Sequence, residues 1–181
     1  AGRTLRQHEQ PQFHGPPGTR RTHASGLARD GGGGGGHRAV GGCAGVGGVT
    51  GTCNCGAVTI TLKHKPDFVN DCNCSFCAPM NAWWGYFNPA DVQVTGNTAT
   101  VQRSDRALPA VDAHSCLACG ATTHWVLRPH LGNETMGVNM RLFSHAQLHG
   151  IERRFPDGAN WDGTSPYGYR KPVEQFDGIS H

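Results

Sequence analysis

From Thr50 onward the chain is written in short alternations of apolar and polar residues. Ala57-Val58-Thr59-Ile60-Thr61-Leu62 alternates strictly and is rich in β-branched side chains, the pattern of a half-buried strand. Residues 83–87, 92–95, 98–102, 122–127, 137–140 and 151–155 read the same way. Asn88-Pro89-Ala90-Asp91 and Gly96-Asn97 supply turns between them. One segment, residues 144–149, predicts a helix, with Ser144 as its N-cap and Gly150 closing it. Many short strands at this spacing predict a mainly β, antiparallel domain with few short helices. No glycine-rich phosphate loop and no strand–helix alternation occur, which argues against a nucleotide-binding α/β fold.

Composition divides the chain near residue 48. The 181 residues carry a formal charge of +3 and 27 glycines. Residues 1–48 hold six Arg against two acids, 15 of the glycines and a single aromatic, Phe13. Such a stretch buries too little apolar surface to offset about 1–2 kcal/mol of backbone entropy per ordered residue, so a disordered Gly/Arg-rich tail is expected. An arginine-bearing arm for an acidic partner is its functional alternative. Residues 49–177 are expected to form the folded domain. From residue 49 onward ten Lys/Arg face eleven acids, which gives no support to a nucleic-acid partner. No run of about 18 apolar residues and no secretory signal is visible, so a membrane partner is not expected and a cytoplasmic location is. The chain opens on Ala rather than Met, as a fragment or a misplaced start would.

Seven of the eight cysteines fall into three tight groups: Cys53-Asn54-Cys55, Cys72-Asn73-Cys74-Ser75-Phe76-Cys77 and Cys116-Leu117-Ala118-Cys119. Cys43 stands apart in the tail. Disulfides between cysteines two or three positions apart make strained rings, and no export signal provides an oxidising compartment. A dithiol redox switch lacks its βαβ setting. Thiolates at this spacing can instead converge on one metal ion, and seven divide as four plus three. A C-x-C on a strand puts both sulfurs on one face. Cys53, Cys55, Cys116 and Cys119 would then close one tetrahedral zinc site, and Cys72, Cys74 and Cys77 would hold a second with a position left open. Pairing Cys53 and Cys55 with two of the middle cysteines is equally compatible with the spacing. His64, His114 or His124 could complete the second site, although packing or surface roles suit them as well.

The run Gly51-Thr52-Cys53-Asn54-Cys55-Gly56-Ala57-Val58, the Cys-x-Cys-x-x-Cys at 72–77 and Cys116-Leu117-Ala118-Cys119-Gly120 resemble the glutathione-dependent formaldehyde-activating enzyme family, which includes centromere protein V. Val138-Asn139-Met140-Arg141 and Arg154-Phe155-Pro156-Asp157-Gly158 extend the resemblance, which spans about residues 50–170. It implies a β-tent fold and two Zn²⁺, the structural one on Cys53, Cys55, Cys116 and Cys119 and the catalytic one on Cys72, Cys74 and Cys77. The implied activity is that of a carbon–sulfur lyase joining formaldehyde to glutathione as S-hydroxymethylglutathione. Family members often carry His where this chain has Asn73, a basic residue where it has Ala78, and an aromatic where it has Ser115. The cysteines are all kept, so these departures bear on the substrate rather than on the metal. A chromatin role, which centromere protein V suggests, would need a basic surface that the near-neutral domain does not provide.

A zinc ion held by three thiolates favours the deprotonated form of a substrate thiol, lowering its pKa from about 8.5. Such a centre is already electron-rich and a weak Lewis acid. The alternative function is therefore a non-catalytic module that binds or carries a small thiol or its aldehyde adduct. Trp83 and Trp84 are candidate pocket walls, Arg141 a candidate contact for a substrate carboxylate, and Asp71 a candidate partner that orients a ligand. Each has a plain structural reading too: core packing for the tryptophans, a salt bridge for Arg141, turn capping for Asp71.

Overall fold

The computed structural model of the chain describes residues 48–101, 103, 107, 109–132 and 134–179. These belong to the unit Val46–His181. The expected tail, all but its last residue, and Cys43 lie outside the described residues. Two sheets organise the domain. The smaller has three strands in the order β1 (Val49–Thr52), β2 (Thr59–Leu62) and β5 (Val92–Thr95), all antiparallel. The larger contains β3 (Phe68–Asn70), β4 (Trp84–Phe87), β6 (Thr98–Val101), β7 (Val111–Cys116), β8 (Thr122–Leu127), β9 (Met136–Asn139), β10 (Glu152–Arg154) and β11 (Glu174–Gln175). Its spatial order is β11-β10-β3-β4-β9-β8-β7-β6.

The domain is mainly β, as expected, and its strand pairings are antiparallel with one exception. β10 runs parallel to β3, with Glu152 opposite Phe68. A parallel pair requires a long crossover, and residues 71–151 supply it. Strands β1, β3, β7 and β11 were not marked by alternation. β7 reads Val-Asp-Ala-His-Ser-Cys, and its burial does not alternate; pairing with β6 and β8 forms it. Among the described residues two short α-helices occur, α1 (Cys77–Met80) and α2 (His145–Leu148). Ser144 caps α2 in a capping box: its N–H donates to Gln147 Oε1 at 2.9 Å and its hydroxyl accepts from the Gln147 N–H. α1 carried no sequence signal, since Pro79 stands within its four residues.

The main core lies where the small sheet meets one face of the large one. Ile60 and Leu62 of β2 pack there with Val69, Phe87, Val138, Met140, Phe143 and Leu148. Each such side chain, fully buried, contributes about 1.5–3 kcal/mol. A second cluster gathers Cys77, Ala82, Trp84 and Trp125, with Tyr86 packed against it. The period-two geometry of β4 separates these environments: Trp84 and Tyr86 point to the second cluster and Phe87 to the first. No helix among the described residues is long and apolar enough to cross a membrane.

Candidate metal centres

The chain end of β1 and the chain end of β7 form two matching turns. After Cys53, the Gly56 N–H donates to the Cys53 carbonyl at 2.9 Å, and the Cys53 N–H donates to the Val58 carbonyl at 3.0 Å. After Cys116, the Gly120 N–H donates to the Cys116 carbonyl at 2.9 Å, and the Cys116 N–H donates to the Ala121 carbonyl at 2.9 Å. Gly56 and Gly120 each follow the second cysteine of their turn and take nearly the same left-handed φ, 74° and 72°. A side chain would be strained at either position. Cys53 and Cys55 thus converge through a turn and not, as strand alternation suggested, along the face of a strand.

These turns bring four sulfurs within 4.8 Å of one another, on Cys53, Cys55, Cys116 and Cys119. The Cys53–Cys55 and Cys55–Cys116 separations are 3.5 and 3.8 Å. Sulfurs around tetrahedral zinc, with bonds of about 2.3 Å, lie about 3.8 Å apart, so the donor set fits a metal of that kind. Burial opposes ionisation of Cys53. The Val58 N–H, 3.2 Å from its sulfur, and the neighbouring Cys55 and Cys116 thiols outweigh that effect and pull its pKa down to about 6. Cys53 and Cys116 are buried, while Cys55 and Cys119 face solvent.

The middle cysteines form a second group, again within 4.8 Å, with Cys72 and Cys74 on the loop after β3 and Cys77 opening α1. The Cys77 N–H donates to Cys74 Sγ at 3.4 Å, and the Ala78 N–H to the Cys74 carbonyl at 3.0 Å, so the start of α1 wraps the loop around its own sulfurs. Trp84 Nε1 donates to Cys77 Sγ at 3.3 Å. Hydrogen bonds with Cys72 and Cys77 hold the Cys74 thiol far below its ordinary range, while hydrogen bonds with Cys72 and Cys74, and burial, push Cys77 up. A divalent ion held by the loop would favour ionisation of all three thiols.

Both groups could hold a metal ion. They follow the four-plus-three division, and among the described residues neither includes a histidine. His64 lies against Asp91 and Phe87. His114 and His124 stack on each other at 4.4 Å.

A model of the glutathione-dependent formaldehyde-activating enzyme family matches residues 48–154, more than half of the chain. The chain belongs to this family. The crystal structure of a Rhodobacter sphaeroides protein is also similar, with 31% identity and a TM-score of 0.43, covering 52% of this chain and 86% of that one. No curated protein matches the sequence. The family match takes in all seven clustered cysteines and ends before the loop that packs on Cys72 and Cys74.

That loop is the part of the centre that its cysteines did not reveal. A Cβ on Gly158 would stand 2.6 Å from Cys72 Sγ and 2.8 Å from Cys74 Cβ, so only glycine lets the loop lie this close. Asn73 fastens it: its Nδ2 donates to Asp157 Oδ1 at 2.7 Å, and its Oδ1 accepts the Ala159 N–H at 2.9 Å. The signal for Gly158 was present in the Phe155-Pro156-Asp157-Gly158 run; its contact with a loop some eighty residues earlier was not.

Beside the three cysteines lies a cleft of about 150 Å³, lined in part by Asp71, Cys72, Cys77, Ala78, Trp83 and Arg170. Trp83 therefore does wall a pocket, whereas Trp84 is buried behind Cys77. Asp71 gives its carboxylate to Arg153 and Arg170 and its N–H to the Arg154 carbonyl. Its contacts are with arginines rather than with a cysteine. Among the described residues Arg141 has no acid within salt-bridge distance; its guanidinium carbon lies 3.9 Å from the Trp83 ring centroid. Arg153 and Arg170 carried no sequence signal, because only folding brings them to Asp71.

Proposed function

We propose that the domain is a zinc-dependent carbon–sulfur lyase of the formaldehyde-activating type, acting on an adduct of glutathione or another small thiol with an aldehyde, such as S-hydroxymethylglutathione. The observation that carries this reading is the contrast between a complete four-sulfur group and a three-sulfur group that opens on a cleft. In this reading Cys53, Cys55, Cys116 and Cys119 hold a structural Zn²⁺, and Cys72, Cys74 and Cys77 hold the reactive one. Zinc bound by the three cysteines would supply a preference for the thiolate form of a substrate thiol and a fixed position for its sulfur.

The chemistry asks little else of the protein. The thiolate sulfur attacks the aldehyde carbon and a C–S bond forms. The carbonyl π pair moves to oxygen, which takes up a proton equivalent to the one the thiol lost; cleavage is the reverse. Trp83 and Ala78 provide apolar walls, and Trp84 holds Cys77 in place. The acid lining the cleft, Asp71, is engaged by two arginines, which leaves it poorly suited to proton transfer. That observation favours a second reading, a module that binds or carries the adduct without accelerating its formation. Zinc–thiol chemistry belongs in a reducing compartment such as the cytoplasm.

The test is zinc content of the full chain with and without Cys74→Ser, together with glutathione titration calorimetry and exchange NMR with formaldehyde. Two zincs per chain, with loss of one and of glutathione binding in Cys74→Ser, supports the open thiol site. Accelerated exchange then supports the lyase, and binding without acceleration supports the carrier. Full zinc loading with no thiol binding overturns both.

A further inference from the structure

Each sulfur of the three-cysteine group has an N–H aimed at it. The Cys74 N–H donates to Cys72 Sγ and the Cys77 N–H to Cys74 Sγ, both at 3.4 Å. The third donor is a side chain: Trp84 Nε1 lies 3.3 Å from Cys77 Sγ. At the four-cysteine group, the N–H groups that reach Cys53, Cys55 and Cys119 belong to the backbone, at Val58, Ala57 and Ala121. A backbone donor comes with any turn of that shape. Trp84 instead reaches Cys77 from a separate element, β4.

The indole is held firmly in this position. Trp84 is 2% exposed, and it stacks on Phe76 of the cysteine loop with ring centroids 6.2 Å apart. Trp125 meets it edge-on at 6.3 Å. Its chain neighbour Trp83 shows that burial alone does not bring an acceptor, because Trp83 Nε1 is buried with no partner among the described residues. Alternation places Trp83 in the main core and Trp84 against Cys77.

We propose that Trp84 is a positioning residue of the open site: its indole N–H draws charge from the Cys77 sulfur, so that a divalent ion on three thiolates accepts a fourth. This rests on the reading of Cys72, Cys74 and Cys77 as an open thiol site. Three thiolates already outweigh the charge of a divalent ion, and an incoming thiolate adds to the excess. Hydrogen bonds to a ligating sulfur withdraw part of that charge, as they do when they set the potentials of iron–sulfur clusters. A bond to an ionised sulfur is also stronger than one to a neutral thiol. Cys77 is buried, and the indole does for its sulfur what solvent does for an exposed one.

The experiment removes the N–H and keeps the ring. In Trp84→benzothienylalanine a sulfur atom replaces the indole N–H with little change of shape. The full chain is loaded with the NMR-active isotope of cadmium, and the ion at the three cysteines is the one whose signal Cys74→Ser removes. The Trp84 indole proton should show a scalar coupling to that ion, carried through the hydrogen bond to sulfur. Packing alone produces no such coupling, and its absence overturns the proposal, even should the variant fail to fold. In the zinc-loaded chain, calorimetry should find 2-mercaptoethanol bound about tenfold more weakly by the variant, the lower end of what such partners are worth. Equal affinities would overturn the proposal and leave the thiol site standing. If neither protein binds the thiol, the thiol-site reading has failed, and competition with a chelator decides the rest. Metal at the three cysteines held about tenfold less tightly in the variant sustains the charge-drawing role of Trp84, and equal retention removes it. A chain whose cadmium signals all survive Cys74→Ser ends both.

Discussion

The two cysteine groups differ in what they tie together. The four-cysteine group draws one half from the end of β1 in the small sheet and the other from the end of β7 in the large sheet, Cys55 and Cys116 standing 61 positions apart. The three-cysteine group comes from a single loop of six residues and faces a cleft. A metal in the first would therefore fasten two sheets, and a metal in the second would organise little beyond its own loop and the segment around Gly158. Stability should belong to the first site, and ligand chemistry to the second.

The largest expected effect breaks this contrast directly. Structural zinc sites are worth about 10–16 kcal/mol, comparable to or above the roughly 5–15 kcal/mol by which a whole domain is stable. Cys116→Ser, or full chelation, should therefore abolish the cooperative thermal transition and the near-ultraviolet circular dichroism. Cys74→Ser should keep both, at a cost of about 1–3 kcal/mol, and lose one metal. Equal destabilisation by the two substitutions would end the division of labour.

Gly158→Ala sharpens the comparison on the open side. Its Cβ would overlap Cys72 Sγ, and overpacking of this kind costs about 1–3 kcal/mol. Metal content should fall at the three-cysteine group alone, read by elemental analysis of Gly158→Ala and of Gly158→Ala combined with Cys74→Ser. The second change should then remove little more metal. An unaltered metal content in Gly158→Ala would show that the loop yields to the sulfur.

Acid tests the other side. His124, backing β7 where it leads to Cys116, is buried beside His114, and burial pushes its pKa down from 6.5 to about 4. The unfolded chain therefore binds a proton that the folded one refuses. Stability supplied by neutral His124 is complete above pH 6.5 and falls progressively towards pH 4, by roughly 3 kcal/mol. His124→Phe should remove that slope from urea unfolding measured between those two pH values. An identical slope in wild type and variant would assign it to other groups.

The smallest effect concerns the fastening of the loop. Asn73→Ala removes two hydrogen bonds and should cost about 1 kcal/mol. Hydrogen exchange should rise at residues 157–159 and stay unchanged around Cys53 and Cys116.

Much of this was legible in the chain. The strict alternation over residues 57–62 marked β2, and the runs at 92–95 and 122–127 match β5 and β8 at both ends. Ser144 and Gly150 bounded α2 because capping is a local hydrogen-bond problem, solved by neighbouring residues. β3 and β11 were silent, since strands of three and two residues exist only through their partners. α1 was silent too, because its turn is shaped around sulfurs rather than by helix-forming side chains.

Local spacing by itself determined that the cysteines work in tight groups, that the domain is built of short strands, and that the chain resembles one family. Those properties depend on residues a few positions apart, whose geometry the backbone dictates. Only the tertiary structure decided that Cys53 and Cys55 meet Cys116 and Cys119, that Gly158 closes on Cys72, and that Arg141, Arg153 and Arg170 converge around Asp71 and Trp83. These contacts join segments from about 60 to 100 residues apart, and the order of strands in the sheets brings them together.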